Sequence, residues 1–228
     1  MVRPAASFDV SWQERYQRGR ALARYPYDVV VHFVYRYGPE KPREHTLVLE
    51  VGCGAGNNLW FAAREVFRVA GIDGSDAAIA YARERFEEDG LAGDLRVGDF
   101  TQLPFDSESI DLAIDRAAIT CLGLTHARRA VAEVRRVLRP GGRFLLNPYS
   151  MRADSLDSGR PGPDGLTLNV RSGALAGMEQ ILPYNRERID SVLGDGWRLL
   201  SLQHVTLTDE CEQHFPVHAE WRVVAEKR

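Results

Sequence analysis

A mostly parallel, seven-stranded α/β sheet with helices on both faces is the fold that this 228-residue chain predicts. Three observations carry it. Short apolar runs recur between stretches of helical periodicity, the first of them feeds straight into a glycine-rich loop, and the last two are separated by a loop with no helix between them. The first two features imply βα units and parallel strands, and the third an antiparallel hairpin that finishes the sheet. With 44% hydrophobic residues, a chain of this length suits one domain that buries roughly 70% of its unfolded surface.

Residues 46–51 (TLVLEV) are almost continuously apolar, as suits a strand covered on both sides. They run into Gly52-Cys53-Gly54-Ala55-Gly56, after which 58–68 reads as a helix with one apolar side. A second strand over 69–72 ends at Asp73. Ser75 or Asp76 can cap the next helix, which places Ile79, Ala82 and Phe86 on one face and stops near Asp89-Gly90. A short third strand, 95–97, reaches Gly98-Asp99, and a fourth, 110–114, reaches Asp115-Arg116. Residues 126–138 read as a helix, and Pro140-Gly141-Gly142 turns the chain into a fifth strand at 143–147. A helix over 185–193 precedes the final strands at 197–202 and 219–225.

Two regions break the rhythm. Residues 151–173, rich in Gly, Pro, Asp and Ser, read as an exposed, mobile excursion and not as a second domain. Between Trp12 and Tyr37 lie Tyr16, Tyr25, Tyr27, Phe33 and Tyr35. This density fits helices lying across the top of the sheet against a ligand, and equally fits rings that pack those helices down. The expected division is an N-terminal helical cover over 1–44 and an α/β domain over 45–228, with an excursion at about 149–184.

The formal charge of −3 lacks the basic field of a DNA-bound protein. Cys53, Cys121 and Cys211 form no CxxC pair, which argues against a disulfide framework or a structural zinc site, and no metal is expected. No signal-peptide core and no run of about 18 apolar residues is present. The expectation is a cytoplasmic protein without a membrane partner, as a monomer or homodimer.

Glycines at 52, 54 and 56 let a ligand approach backbone N–H groups, and the helix that follows offers its positive end to an anion. The dinucleotide fingerprint is GxGxxG, whereas this loop is ExGxGxG. Glu50 would repel a pyrophosphate; it can hold the loop's donors or a ligand ammonium.

At Glu50-Val51-Gly52-Cys53-Gly54-Ala55-Gly56 the chain resembles the class I S-adenosylmethionine-dependent methyltransferases. The resemblance continues in order through Asp73, Gly98-Asp99-Phe100, Leu103-Pro104-Phe105 and Val137-Leu138-Arg139-Pro140-Gly141-Gly142, over about residues 45–148. It implies a single Rossmann-like methyltransferase domain that binds S-adenosylmethionine and releases S-adenosylhomocysteine. Asp73 is then the ribose-binding carboxylate, Asp99 the acceptor from the adenine amino group, and Phe100 the residue flanking the base. Gly52, Cys53, Gly54, Asn57 and Gly74 complete the cradle with Glu50. Asp115 would face the methionine half, and Tyr16 and Arg20 the donor's carboxylate or sulfonium. Arg24-Tyr25-Pro26-Tyr27 would form a substrate wall.

Asp115 and His126 are the candidates for a catalytic base, each with a structural alternative: Asp115 can brace a loop or pair with Arg116, and His126 can cap a helix. His32, His204, His214 and His218 are the other histidines weighed. Asn147-Pro148-Tyr149 resembles the amine-holding motif of nucleic-acid and protein amide methyltransferases, but it follows strand five where that motif follows strand four. The resemblance thus implies methyl transfer to an oxygen or nitrogen of a small or medium-sized metabolite. Its rivals are a peptide or protein methyltransferase, with an open groove near Arg116 and Tyr184, a non-catalytic S-adenosylmethionine-binding regulatory protein, and a nicotinamide dehydrogenase.

Overall fold

The computed structural model describes residues 9–211 and 217–228. Two helices, α1 (Ser11–Gln17) and α2 (Asp28–Tyr37), come first. They lead into β1 (Leu47–Val51), α3 (Asn57–Arg64), β2 (Arg68–Asp73), α4 (Asp76–Glu88), β3 (Asp94–Val97), β4 (Ile110–Arg116), α5 (Leu124–Val137) and β5 (Leu138–Asn147). An excursion carries three two-residue strands, β6 (Arg160–Pro161), β7 (Thr167–Leu168) and β8 (Gln180–Ile181). The chain closes with α6 (Arg186–Leu193), β9 (Trp197–Leu207) and β10 (His218–Lys227).

The main sheet has the order β3-β2-β1-β4-β5-β10-β9. Its first five strands are parallel, and β10 runs antiparallel to both β5 and β9. The chain builds outward from β1 through β2 to β3, then returns to place β4 on the other side of β1. That reversal opens a crevice at the carboxyl ends of β1 and β4, where ligands bind in open α/β sheets.

Alternation along the strands supplies both faces of the core. Val48, Leu112 and Leu145 pack with Phe33 of α2, Leu59 of α3 and Phe86 of α4. Leu49, Ala113, Phe144 and Leu146 turn the other way, toward Val131 and Val134 of α5 and Ile189 of α6. Ser75 caps α4, its Oγ accepting from the Ala78 N–H at 3.1 Å, and Asn185 caps α6, its Oδ1 accepting from the Arg188 N–H at 2.9 Å.

Four expectations need correction. The helix read at 58–68 stops at Arg64, because Val66 adopts φ 63° and Arg68 already pairs with Leu47 in the sheet. The strand read from 143 starts at Leu138; Pro140-Gly141-Gly142 lies within it, beside a register shift between Ile110 and Leu112. Only α1 reaches across the strand ends: α2 lies on the sheet face, because Val29, Val30, Phe33 and Val34 form one apolar stripe. The excursion, finally, is packed, with Ala153, Val170, Leu175, Met178 and Ile181 buried in a third apolar cluster with Cys121 and Ala219. Its polar residues serve its own backbone: Ser158 Oγ accepts from the N–H groups of Arg171 and Ser172 at 3.0 and 3.1 Å. Thr120 fastens it to the domain through Leu182, one bond in each direction, at 2.6 and 2.7 Å. No helix among the described residues is long and apolar enough to cross a membrane.

Candidate active site

The loop after β1 folds back onto β2: the N–H groups of Gly52 and Cys53 both donate to the Ile72 carbonyl, at 2.8 and 3.1 Å. Gly52 and Gly54 adopt φ of 64° and 52°, in the left-handed region that disfavours a β-carbon. A β-carbon at Gly52 would run into the Ala118 side chain, and one at Gly54 into the Tyr16 hydroxyl. The loop is thus confined between the β4 turn and α1.

Two buried carboxylates hold it. Asp73 accepts from the Gly54 N–H through Oδ2 at 2.9 Å and from the Ser75 N–H through Oδ1 at 2.8 Å. Each oxygen keeps a lone pair for a ligand hydroxyl. Burial raises the pKa of Asp73, against the pull of those two N–H groups. Glu50 is 2% exposed; its Oε1 accepts from Asn58 Nδ2 at 2.6 Å, while Oε2 has no partner in the protein. Burial, with the neighbouring charges of Asp115 and Asp73, pushes its pKa up to about 8 against the Asn58 hydrogen bond. An orphaned buried carboxylate oxygen is costly, and a cation in the cavity it faces would satisfy it.

From this loop a single cavity of about 480 Å³ runs past the ends of β4 and β5, a volume within the ~300–1,000 Å³ usual for small-molecule sites. On its far side it meets Arg116, Cys121, Tyr149 and Met178, with Trp12, Tyr16 and Tyr27 over it. Burial and the charge of Asp73 raise the pKa of the Tyr16 hydroxyl, so it stays protonated. Gln13 pins α1 down, taking a 2.6 Å bond from Ser75 Oγ and donating to Asp76.

Of the residues singled out in the sequence, Tyr16, Glu50, Gly52, Cys53, Gly54, Asn57, Asp73, Gly74 and Phe100 line this cavity. Four others stand outside its lining. Arg20 is exposed beyond the end of α1. Asp99 turns to its own backbone, Oδ1 accepting from the Thr101 N–H at 2.8 Å. Asp115 is fully buried, with Oδ1 holding the N–H groups of Ala118 and Ile119 at 2.9 and 2.8 Å, so it braces the β4 turn; burial pushes its pKa up to about 6. His126 sits in the first turn of α5, its Nδ1 buried without a partner.

His32, His204 and His218 are likewise outside the lining, and His214 falls outside the described residues. Within the stretch read as a substrate wall, Tyr27 lines the cavity while Tyr25 is exposed. Tyr184 is buried in the main core, not at a rim. Sequence reasoning missed Asn58, which fixes Glu50, placed Arg116 beside the acceptor pocket or groove without a role, and gave Tyr149 no place in the cavity. Position after strand four was a signal for Arg116 and Cys121, but Met178 had none, because the packed excursion brings it in.

Replacing Gly52 by alanine is expected to lower the melting temperature by roughly 5–10 °C, from left-handed strain plus overpacking against Ala118. Gly141→Ala is the control, since Gly141 also has positive φ, 76°, but open space around it. It should lose only the strain component, and equal losses in thermal melts would mean that the Ala118 contact is immaterial.

A Rossmann-like sheet with an ExGxGxG first loop, and an aspartate ending the second strand that braces that loop, defines an S-adenosylmethionine-binding domain. Residues 48–142 match the family described as "Methyltransferase domain". Phthiotriol/phenolphthiotriol dimycocerosates methyltransferase of Mycobacterium tuberculosis is 41% identical over 105 residues, covering 45% of this chain and 36% of that protein. A probable S-adenosylmethionine-dependent methyltransferase of Mycolicibacterium smegmatis is 36% identical over 100 residues, 44% of this chain and 37% of that one. The chain thus spans less than half the length of these curated relatives. The crystal structure of an S-adenosylmethionine-dependent methyltransferase from Methanosarcina mazei shares the fold, with a TM-score of 0.69 at 21% identity over 89% of this chain and 98% of that chain. Residues 48–142 thus carry a methyltransferase domain, with S-adenosylmethionine-dependent methyltransferases among its relatives, and the dehydrogenase reading is set aside.

Proposed function

We propose that this chain transfers the methyl group of S-adenosylmethionine to an oxygen or nitrogen of a small or medium-sized metabolite. The observation that carries the reading is the single cavity joining the Glu50–Asp73 loop to the wall formed by Arg116, Cys121, Tyr149 and Met178. The orphaned Oε2 of Glu50 suits the donor's ammonium, the remaining lone pairs of Asp73 suit a ribose diol, and Phe100 suits an adenine face. The acceptor then occupies the far side, beneath a cover drawn from α1 and the segment that follows it to Tyr27, and walled by the excursion at 149–184. Two relatives are named for phthiotriol/phenolphthiotriol dimycocerosates and for arsenite, acceptors that are neither nucleic acid nor protein.

The donor supplies a methyl group on a sulfonium. As the C–S bond breaks and a C–O or C–N bond forms, the positive charge on sulfur disappears and the acceptor's proton must leave. Burial pushes the Cys121 thiol up to about 12 and raises the Tyr149 hydroxyl, so neither is a base near neutral pH. The protein's contribution is alignment of the lone pair with the methyl group inside the cavity, while the proton passes to solvent.

The test has two stages. Saturating S-adenosylhomocysteine, at about 100 times its Kd, should raise the melting temperature by roughly 5–10 °C, and NAD should not. Incubation with methyl-labelled donor and fractionated cell extracts should then place label in a low-molecular-weight product. Label confined to peptides, or tight donor binding with no transfer to any fraction, would refute the metabolite reading.

A further inference from the structure

We propose that Arg116 anchors the methyl acceptor by a carboxylate, and that the acceptor is an organic acid with an apolar or aromatic body. This deepens the methyl-transfer reading above and rests on it. The register places Val51 opposite Asp115 and Arg116 opposite Asn147. Arg116 thus stands one residue past the pairing with Val51, and its side chain reaches Glu220 of β10, beyond β5 and on the side away from Asp73. The next residue, Ala117, has φ 61°, and Asp115 fixes the turn through Ala118 and Ile119. The protein thus holds a strained, braced turn at the point that delivers this side chain.

Arg116 is the one cationic residue in the cavity lining among the described residues. Its side chain is 13% exposed and its guanidinium stacks on the Tyr27 ring at 4.2 Å. Stacking occupies a face and leaves the N–H donors in the plane of the group. Those donors are incompletely used: the buried Nε has no partner, the ion pair to Glu220 is loose, at 3.5 Å, and the remaining interaction is with the Tyr149 hydroxyl. Glu220 is shared, with Arg222 nearer at 2.8 Å and His218 at 3.7 Å. A planar, two-oxygen anion matches an unsatisfied guanidinium edge better than an alcohol or an amine does.

The rest of the far side is apolar or aromatic, from Trp12, Tyr27, Cys121, Tyr149 and Met178, apart from the Asp9 carboxylate on the Cys121 side. That lining accounts for the body of the substrate as Arg116 accounts for its charge. The donor's own carboxylate is the competing occupant of Arg116, and the sidedness of Arg116 toward β5 argues against it.

The experiment uses the full chain saturated with S-adenosylhomocysteine and titrated calorimetrically with benzoate, 4-hydroxycinnamate and indole-3-acetate, each against its primary amide. Wild-type protein should bind at least one acid at least tenfold more tightly than its amide. Arg116→Gln should abolish that preference, and Arg116→Lys, which keeps the charge but not the fork, should retain part of it. Affinity for S-adenosylhomocysteine, measured separately in each variant, should stay within about twofold. If Arg116→Gln folds poorly because Glu220 loses a partner, the Arg116→Gln/Glu220→Gln pair carries the same readout.

No acid–amide preference in any pair, or a preference that survives Arg116→Gln, overturns the proposal. So does a tenfold loss of S-adenosylhomocysteine affinity in Arg116→Gln, which would assign the guanidinium to the donor. Failure of the wild-type protein to bind S-adenosylhomocysteine would instead sink the underlying methyl-transfer reading.

Discussion

Replacing Asp73 by alanine is expected to weaken S-adenosylhomocysteine binding by roughly 100-fold while leaving the sheet intact. Two charge-assisted hydrogen bonds to a diol, at about 1.5–3 kcal/mol each, set the scale. The same substitution releases the Gly54 and Ser75 N–H groups that the carboxylate now holds, so the loop loses its shape as well as its ligand contact. The fold is expected to survive, because the sheet is held by the apolar clusters on its two faces. Isothermal titration with circular dichroism of the same samples checks both parts. Unchanged affinity in a folded variant would remove Asp73 from the ribose site.

Glu50→Gln is expected to abolish a pH dependence that the wild-type protein should show. With its pKa raised to about 8, Glu50 in the ligand-free protein holds a proton at pH 7 that the unfolded chain has released. The stabilisation linked to that proton is fully present below the ordinary glutamate pKa and is lost as pH rises through about 8. A ligand ammonium needs the ionised carboxylate, so affinity should rise about tenfold from pH 6 to pH 7 and peak near 8, where the ligand's own amino group begins to lose its proton.

Tyr16 and Cys53 are raised and stay protonated, while Asp115, at about 6, and Asp73, also raised by burial, ionise in wild type and in Glu50→Gln alike, so the difference between the two proteins isolates Glu50. Calorimetry in buffers of different ionisation enthalpy should detect proton release on binding at pH 7 in wild type and none in Glu50→Gln. A flat wild-type profile would mean that Glu50 does not meet the ligand's ammonium.

The donor half of the cavity was legible because its residues lie next to one another along the chain. Glu50 and the glycines sit in one loop, and Asp73 ends the following strand, so strand order alone brings them together. Asp99 and Asp115 show the limit of that logic. Both stand at strand ends, as the resemblance implies, yet neither lines the cavity, and the Oδ1 of each accepts from N–H groups two to four residues ahead, a placement that local turn geometry makes and position does not reveal. The acceptor half was opaque for another reason. Cys121, Tyr149 and Met178 meet only because 151–184 folds into a packed unit, and its Gly- and Pro-rich composition reads as solvent-exposed chain until its buried leucine, valine and methionine residues are seen together. α2 was open in the sequence: its aromatics fitted a roof and core packing equally, and its valines place it on the sheet.

The short helix α1 has none of its residues fully buried. It is stapled at one end to α4 by Gln13 and toward the excursion by Arg15, which donates to the Gly177 carbonyl. A flap fastened by polar side chains rather than by apolar area can lift without loosening the sheet beneath it. In the proposed reading, donor and acceptor both lie against that one helix. Its amides at 11–17 should therefore exchange with deuterium far sooner than those of β1, and S-adenosylhomocysteine should slow the first set while leaving the second unchanged.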